Sequence, residues 1–191
     1  QNQRADRHLT MSQEVIDEMV SNVAADPELP PQLRKSMTQR AVKFQVQLLA
    51  ENPDDPHTLK QTGAAYKRLV LLLYDLSEFD LAEVVADEAI AILEPFPDDP
   101  ALDNLKEQIV NQKIAVLRAL RRVEDAQQLA EAREAEEASS LLVEARRTFE
   151  LGMVKMSAGD LPTARTEFDK ALLMYEQIGF DTHLTHEIAR C

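Results

Sequence analysis

The 191-residue chain has no tryptophan, one cysteine, four glycines and few aromatic residues. Because Cys191 has no cysteine to pair with, an internal disulfide is excluded and a reducing compartment is compatible, although export is not excluded. A cytoplasmic location is expected. The richest apolar run, residues 69–74, is far shorter than the roughly 20 residues of a membrane-spanning helix, so no membrane partner is expected. The polar start at Gln1 predicts no secretory signal and a fragment of a longer protein.

Positive charge is also scarce, with 21 Lys and Arg against 34 Asp and Glu and a formal net charge of -13. The averaged field repels a phosphate backbone, so no nucleic-acid partner is expected. Hydrophobic residues make up 45% of the chain, which is enough to bury one core or one short helical array. Long stretches of Ala, Leu, Glu and Gln with few strand signals predict an all-α fold.

Proline and glycine divide the chain into predicted helices. A first amphipathic helix is expected over residues 11–25, and a second begins near Pro31 and ends near Asn52. Two more are expected over residues 57–77 and 80–94. The apolar residues of the last helix cover an arc wide enough to pack against two neighbours.

A tetrapeptide, Pro-Asp-Asp-Pro, occurs at residues 53–56 and again 44 residues later at 97–100. Each copy follows an apolar helix end and precedes a new helical run. Aspartates are favourable there because they accept hydrogen bonds from the free N–H groups of a helix start. The repeat predicts that each copy begins a helix.

Residues 101–151 contain neither glycine nor proline. A single helix of that length would extend for about 77 Å, which is more than a compact array of this size can cover. Turns are therefore predicted near residues 122–125 and 139–140. A continuous helix through Arg122 is the alternative, and residues 125–138 equally fit a solvated linking helix.

The last part of the chain matches the tetratricopeptide (TPR) pattern at Gly152, Gly159, Ala164 and Phe168. The small residues allow the two helices of a pair to approach, Gly159 allows the turn between them, and Phe168 fills the remaining space. The chain therefore resembles a TPR protein over residues 141–178.

An earlier segment, residues 57–95, resembles the same family with Gly63, Tyr66, Ala82, Ala86 and Ala89. Measured from the glycine, each alanine lies seven residues later than in the last repeat. Seven residues are two helical turns, so every side chain keeps its face of the helix.

Residues 12–95 also resemble the region that follows the kinase domain in serine/threonine protein kinases of planctomycete-type bacteria. The matching residues are Ile16 with Asp17, residues 29–34, Ala41 with Phe44, and residues 54–56. The chain has no glycine-rich phosphate loop, His-Arg-Asp or Asp-Phe-Gly motif, so no kinase residue carries over and no enzyme is expected here.

The resemblance implies a right-handed α-α superhelix of TPR-like hairpins. The expected parts are an N-terminal helical pair (1–52), a lengthened TPR unit (53–100), an irregular helical pair or linking helix (101–140), and a standard TPR unit with a short capping helix (141–191).

Charge distribution is the basis of the predicted binding surface. The first helices of the two clear repeats carry Lys60, Lys67, Arg68, Arg146 and Arg147. The second helices are acidic, with Glu83, Asp87, Glu88, Glu94, Glu167 and Asp169. In the TPR family the first helices line an inner groove, which implies a basic groove for an acidic peptide or a free C-terminal carboxylate. Ordinary solvated charges are the alternative interpretation.

Met153 and Met156 follow Gly152 on the same helix, and their flexible thioethers suit either an adaptable peptide groove or the core. His183 and His186 are three residues apart, but too few further ligands are near for a metal site. We expect no metal and no cofactor. The predicted function is recognition of a protein or peptide partner, and self-assembly into a homodimer is the alternative.

Overall fold

The computed structural model describes residues 28–51, 55–95, 99–134 and 140–179, with only the backbone of Glu134. The predicted helix over 11–25, the two C-terminal histidines and Cys191 lie outside these residues. The predicted all-α class is confirmed, since the described residues form helices and turns and contain no strand. The helices are α1 (Pro31–Glu51), α2 (Pro56–Asp75), α3 (Phe79–Leu93), α4 (Pro100–Ala119), α5 (Val123–Glu134), α6 (Leu141–Ser157) and α7 (Leu161–Ile178).

The second aspartate of each Pro-Asp-Asp-Pro copy caps a helix, as predicted. The Asp55 carboxylate accepts a hydrogen bond from the Thr58 N–H at 3.0 Å, and Asp99 accepts one from the Ala101 N–H at 2.8 Å. The hydrogen bond from the Thr58 hydroxyl lowers the pKa of Asp55. In both copies the proline that follows is the first residue of the helix, where no N–H is needed.

Three turns of the same form connect α2 to α3, α4 to α5, and α6 to α7. In each, the three turn residues donate their N–H groups to carbonyls four, three and five residues earlier, in that order. The middle residue of each turn has positive φ: Ser77 (58°), Arg121 (62°) and Gly159 (85°). This hydrogen-bond pattern closes a helix through one left-handed residue.

The middle helical pair repeats the lengthened pair before it. Helices α2 and α4 both have 20 residues, and α4 begins and ends 44 residues after α2. Helix α5 likewise begins 44 residues after α3. Ala82 and Ala126 both lie five residues after the left-handed residue, and both are fully buried. The 44-residue repeat predicted from two tetrapeptides therefore extends through both helices of each pair.

The predicted turn between two helices forms, at residues 120–122 and so slightly earlier than 122–125. The alternative, a continuous helix through Arg122, is wrong because α4 ends at Ala119. The repeat is hard to see in the sequence because Gly63 and Ala89 have charged counterparts 44 residues later, Glu107 and Arg133, both buried.

The chain divides into two compact units, Gln1–Ile109 and Val110–Cys191, with the boundary inside α4. In the first unit, α2 packs against both α1 and α3. Gly63 is buried and leaves no room for a side chain. A Cβ there would lie 2.6 Å from a methyl carbon of Leu105 on α4 and 3.2 Å from one of Leu93 on α3. The Tyr66 hydroxyl donates to Glu88 at 3.4 Å, and burial together with that carboxylate raises the pKa of Tyr66 to about 12.

In the second unit, α6 packs against both α5 and α7. A Cβ on Gly152 would lie 2.6 Å from the Phe168 ring, and that ring packs on Phe149 with centroids 5.4 Å apart. The predicted close approach of helices at Gly152 is therefore confirmed. Ala164 is also buried, as predicted. The four-part division and the superhelical handedness stay predictions.

Candidate functional site

The first helix of the lengthened repeat, α2, carries a surface stripe that we call the α2 face. It consists of residues three or four positions apart, all exposed or half-buried: Lys60, Ala64, Arg68, Leu71 and Asp75. Residues at this spacing share one side of a helix. Two of the predicted site residues, Lys60 and Arg68, therefore lie on one surface.

Lys67, the third predicted cation of α2, lies beside this face. Its Nζ donates a hydrogen bond to Oε1 of Gln108 on α4 at 2.7 Å, and the residue is half-buried. Lys60 is exposed at the other end of the face. The two lysines therefore differ: Lys67 is anchored against a neighbouring helix, whereas Lys60 extends into solvent.

Two apolar residues of this region were not predicted to be on the surface. Leu71 is 44% exposed on the α2 face, and Tyr74 is 39% exposed with its ring packed edge-on against Phe79 at 5.4 Å. A signal was present in the sequence, because the six-residue apolar run 69–74 covers more of a helix circumference than one core-facing stripe. The α2 face is thus both basic and partly apolar.

The predicted charge contrast is clear between α2 and α3. Helix α2 has three cations and one acid, Asp75, whereas α3 has four acids and no cation: Asp80, Glu83, Asp87 and Glu88. The contrast fails in α7, where Glu167 is buried and accepts hydrogen bonds from Lys170. Glu167 was predicted to belong to an exposed acidic wall, and this assignment is wrong.

In the second unit, one side of α6 carries Arg146, Glu150, Met153 and Ser157. Arg146 and Met153 are half-buried. Burial raises the pKa of Tyr175, and the positive charge of Arg146 opposes that rise. Met156, also half-buried, lies on the side shared with Phe149. Two of the predicted residues, Arg146 and Met153, therefore share a face, and Met156 does not.

Arg147 was grouped with the groove cations in the sequence, and the structure places it elsewhere. Its side chain is buried, and its guanidinium donates a hydrogen bond to the carbonyl of Arg133 at 2.8 Å. Arg147 therefore links α6 to α5 inside the unit.

Arg118, at the end of α4, approaches the same side of α6. Its Nε donates a hydrogen bond to Oγ of Ser157 at 3.1 Å, and its Nη1 lies 3.6 Å from a carboxylate oxygen of Glu150. The sequence did not point to Arg118, because α4 ends in a turn whose left-handed residue is Arg121 instead of the usual glycine, and the position of that turn decides where Arg118 lies.

Within the described ranges, no group of three or more His, Cys, Asp or Glu side chains is placed to hold a metal ion. No helix in that part of the chain is long and apolar enough to cross a membrane. The surfaces described above carry cations, a thioether and exposed apolar groups. Such groups bind other molecules through ion pairs, hydrogen bonds and apolar contacts.

No family model and no curated protein matches this chain. Among solved structures 12 chains match, and one of them is the crystal structure of BtubC (BKLC) from P. vanneervenii. The superposition has a TM-score of 0.53 at 15% sequence identity and covers 93% of this chain and 77% of that one. At that identity the likeness concerns the fold alone.

Proposed function

We propose that this chain is a protein-interaction module, a TPR-like helical repeat that binds an acidic peptide segment on the α2 face. The observation that carries the proposal is the combination of exposed Lys60, half-buried Arg68 and exposed Leu71 on one side of a helix in a chain of net charge -13. A basic, partly apolar surface attracts acidic ligands that also carry apolar groups.

The chemistry of the α2 face favours a polypeptide over a small anion. Lysine and arginine recognise carboxylates through charge-assisted hydrogen bonds, and an exposed leucine adds an apolar contact beside them. An acidic segment with one or two large apolar residues supplies both. Lys67, held by Gln108, is a fixed cation at the edge of the surface.

The repeat structure supports the TPR assignment. Three connections share one hydrogen-bond pattern, and two helical pairs share a 44-residue period. Such arrays stabilise each helical pair by packing it on its neighbours, which leaves one side of the first helices for a ligand.

The test is a binding titration with a fluorescein-labelled acidic peptide that contains leucine. We expect the Lys60→Glu/Lys67→Glu variant to bind roughly tenfold more weakly, since two attractive pairs become repulsive. Its melting temperature should fall only slightly, because Lys60 is exposed and the half-buried Lys67 loses one hydrogen bond to Gln108.

The matched control is Arg40→Glu/Lys43→Glu, which makes the same charge change at two exposed positions of α1. If the control weakens binding equally, the loss of affinity comes from the net charge of the chain and not from a contact with the α2 face. Unchanged affinity in the Lys60→Glu/Lys67→Glu variant removes the α2 face from the proposal.

Self-assembly is a second candidate, and exposed leucines favour it. Leu161 and Leu173 of α7 are 63% and 59% exposed. Light scattering after size-exclusion chromatography tests this candidate: a dimer that Leu173→Glu dissociates supports it, and a monomer at all concentrations excludes it.

We also propose that the chain acts without catalysis, in the cytoplasm, as a recruitment region of a larger bacterial protein such as a serine/threonine kinase. The resemblance of residues 12–95 is the support for this context. Sequencing the full-length gene tests it, because a kinase domain before Gln1 is the expected result.

A further inference from the structure

In the second unit, a guanidinium and a carboxylate lie close together without forming a good hydrogen bond. Nη1 of Arg118 is 3.6 Å from Oε2 of Glu150, whereas its Nε is held by Oγ of Ser157 at 3.1 Å. The two charged side chains are 18% and 20% exposed. Among the described residues, the buried Oε2 of Glu150 has no hydrogen-bond partner.

This arrangement leaves the carboxylate poorly compensated. A buried carboxylate needs hydrogen bonds to replace those it had with water, and one long ion pair supplies little. Burial accordingly raises the pKa of Glu150, although the charge of Arg118 opposes the effect. A guanidinium can form two parallel hydrogen bonds with a carboxylate, and Glu150 does not make them with Arg118.

The other charged groups near Glu150 favour an incoming anion. Arg146 lies one turn earlier on α6. Tyr175 of α7, a phenol that stays neutral because burial raises its pKa, is near enough for the charges of Arg146 and Glu150 to act on that pKa. The remaining lysine of this helix, Lys155, is paired with Glu131 of α5 at 2.7 Å. Once Glu150 is neutral, its carboxylate no longer offsets the charge of Arg118 on this side of α6.

We propose that Arg118 binds a carboxylate of an acidic partner in exchange for Glu150, and that Glu150 takes up a proton from solvent in the exchange. Two carboxylates at one guanidinium repel each other, so protonating one of them relieves the repulsion. The assignment of the carboxylate to a polypeptide rests on the proposed function; the exchange at Arg118 does not.

The probe is a capped aspartate, N-acetyl-aspartate N-methylamide, whose carboxyl stays largely ionised at about pH 5.5 because an unperturbed Asp has a pKa near 3.9. It is titrated into the full chain while the side-chain Nε–H signal of Arg118 is followed by NMR, at about pH 7.5 and again at about pH 5.5. Arg165, 86% exposed and 4.0 Å from Asp169, is the internal control, because its ion pair is already solvated.

We expect the Arg118 signal to saturate at a roughly three- to tenfold lower aspartate concentration at the lower pH. In Glu150→Gln the tight binding is expected at both pH values, and in Arg118→Gln it is absent at both. Equal affinity at the two pH values in the wild type, or a pH dependence that persists in Glu150→Gln, overturns the exchange.

The two proposals fail separately. If the labelled acidic peptide does not bind but the Arg118 signal responds to aspartate as described, the exchange stands and the peptide-binding function is wrong. If the peptide binds and the Arg118 signal does not move, the function stands and the exchange is wrong.

Discussion

Replacing Gly152 with alanine tests whether small residues allow the paired helices to touch. An alanine Cβ there would lie 2.6 and 2.7 Å from two atoms of the Phe168 ring, closer than carbon atoms pack. The ring cannot easily move because it packs on Phe149. Alanine in a helix interior would otherwise gain about 1 kcal/mol over glycine. Overpacking costs about 1–3 kcal/mol, and two contacts this short with a packed ring take the upper part of that range, about 2–3 kcal/mol, so the net loss of stability is about 1–2 kcal/mol.

The loss is measured by urea and thermal unfolding followed by circular dichroism. In a chain of this length a loss of 1 kcal/mol lowers the melting temperature by about 2–4 °C. The Phe168→Leu substitution makes room, so the double variant should be more stable than the two single losses predict, with a coupling of about 1 kcal/mol.

Gly63→Ala is the matched comparison. Its Cβ would also lie 2.6 Å from a neighbour, but that neighbour is the methyl end of Leu105, a flexible side chain that can rotate away. Its stability loss should therefore be smaller. If Gly152→Ala is as stable as the wild type, or if the cycle with Phe168→Leu shows no coupling, the close packing of α6 on α7 is refuted.

Other substitutions test the turns, the buried amide and the buried acid. Arg121→Gly should raise the free energy of unfolding by about 0.5–1 kcal/mol because glycine favours positive φ, and Gly159→Ala should lower it by about 1 kcal/mol; the opposite signs in urea titrations would contradict the repeated turn. Gln45→Met should stabilise by about 1 kcal/mol, since among the described residues neither amide atom of the buried Gln45 has a hydrogen-bond partner; a loss of stability would show that the amide is engaged. Because the folded pKa of Glu150 is raised above 4.5, its stabilising contribution is present below that pH and lost as the pH rises through the folded pKa. Glu150→Gln should therefore gain stability over the wild type towards neutral pH, and a difference in melting temperature that is constant with pH would contradict this.

Local rules predicted most helix boundaries. Pro56 and Pro100 follow capping aspartates, and the observed helices begin at these prolines. The turn at Gly159 and the contact of Gly152 with Phe168 also followed from residue type, because glycine favours positive φ at the turn and leaves room for the ring in the helix. Helical periodicity and helix-start chemistry act over a few residues, so the sequence alone displays them.

The regular middle pair was not predicted, because its defining residues are atypical. Arg121 takes the left-handed position where glycine is usual, and Glu107 and Arg133 replace small residues. Ala126 and Ala130 were the usable signal, since they match Ala82 and Ala86 at 44 residues. The left-handed conformation of Arg121 and the burial of Glu107 and Arg133 depend on how the helices pack, and the usual conformational preferences of these residue types do not predict them.

The candidate surface was predicted in part. Charge and spacing placed Lys60 and Arg68 on one face, but whether Leu71 is buried or Arg147 points inward depends on which neighbouring helices pack there. The same applies to Arg118, whose contacts with Glu150 and Ser157 join residues more than 30 positions apart.

The central claim is that a partner binds the first helix of the lengthened repeat and not the second. A photo-crosslinking residue placed at Leu71 of α2, or at the comparably exposed Val84 of α3, tests it directly with the labelled acidic peptide. We predict crosslinking at position 71 that unlabelled peptide competes away, and only background at position 84. Equal crosslinking at both positions, or crosslinking at 84 alone, would contradict the account.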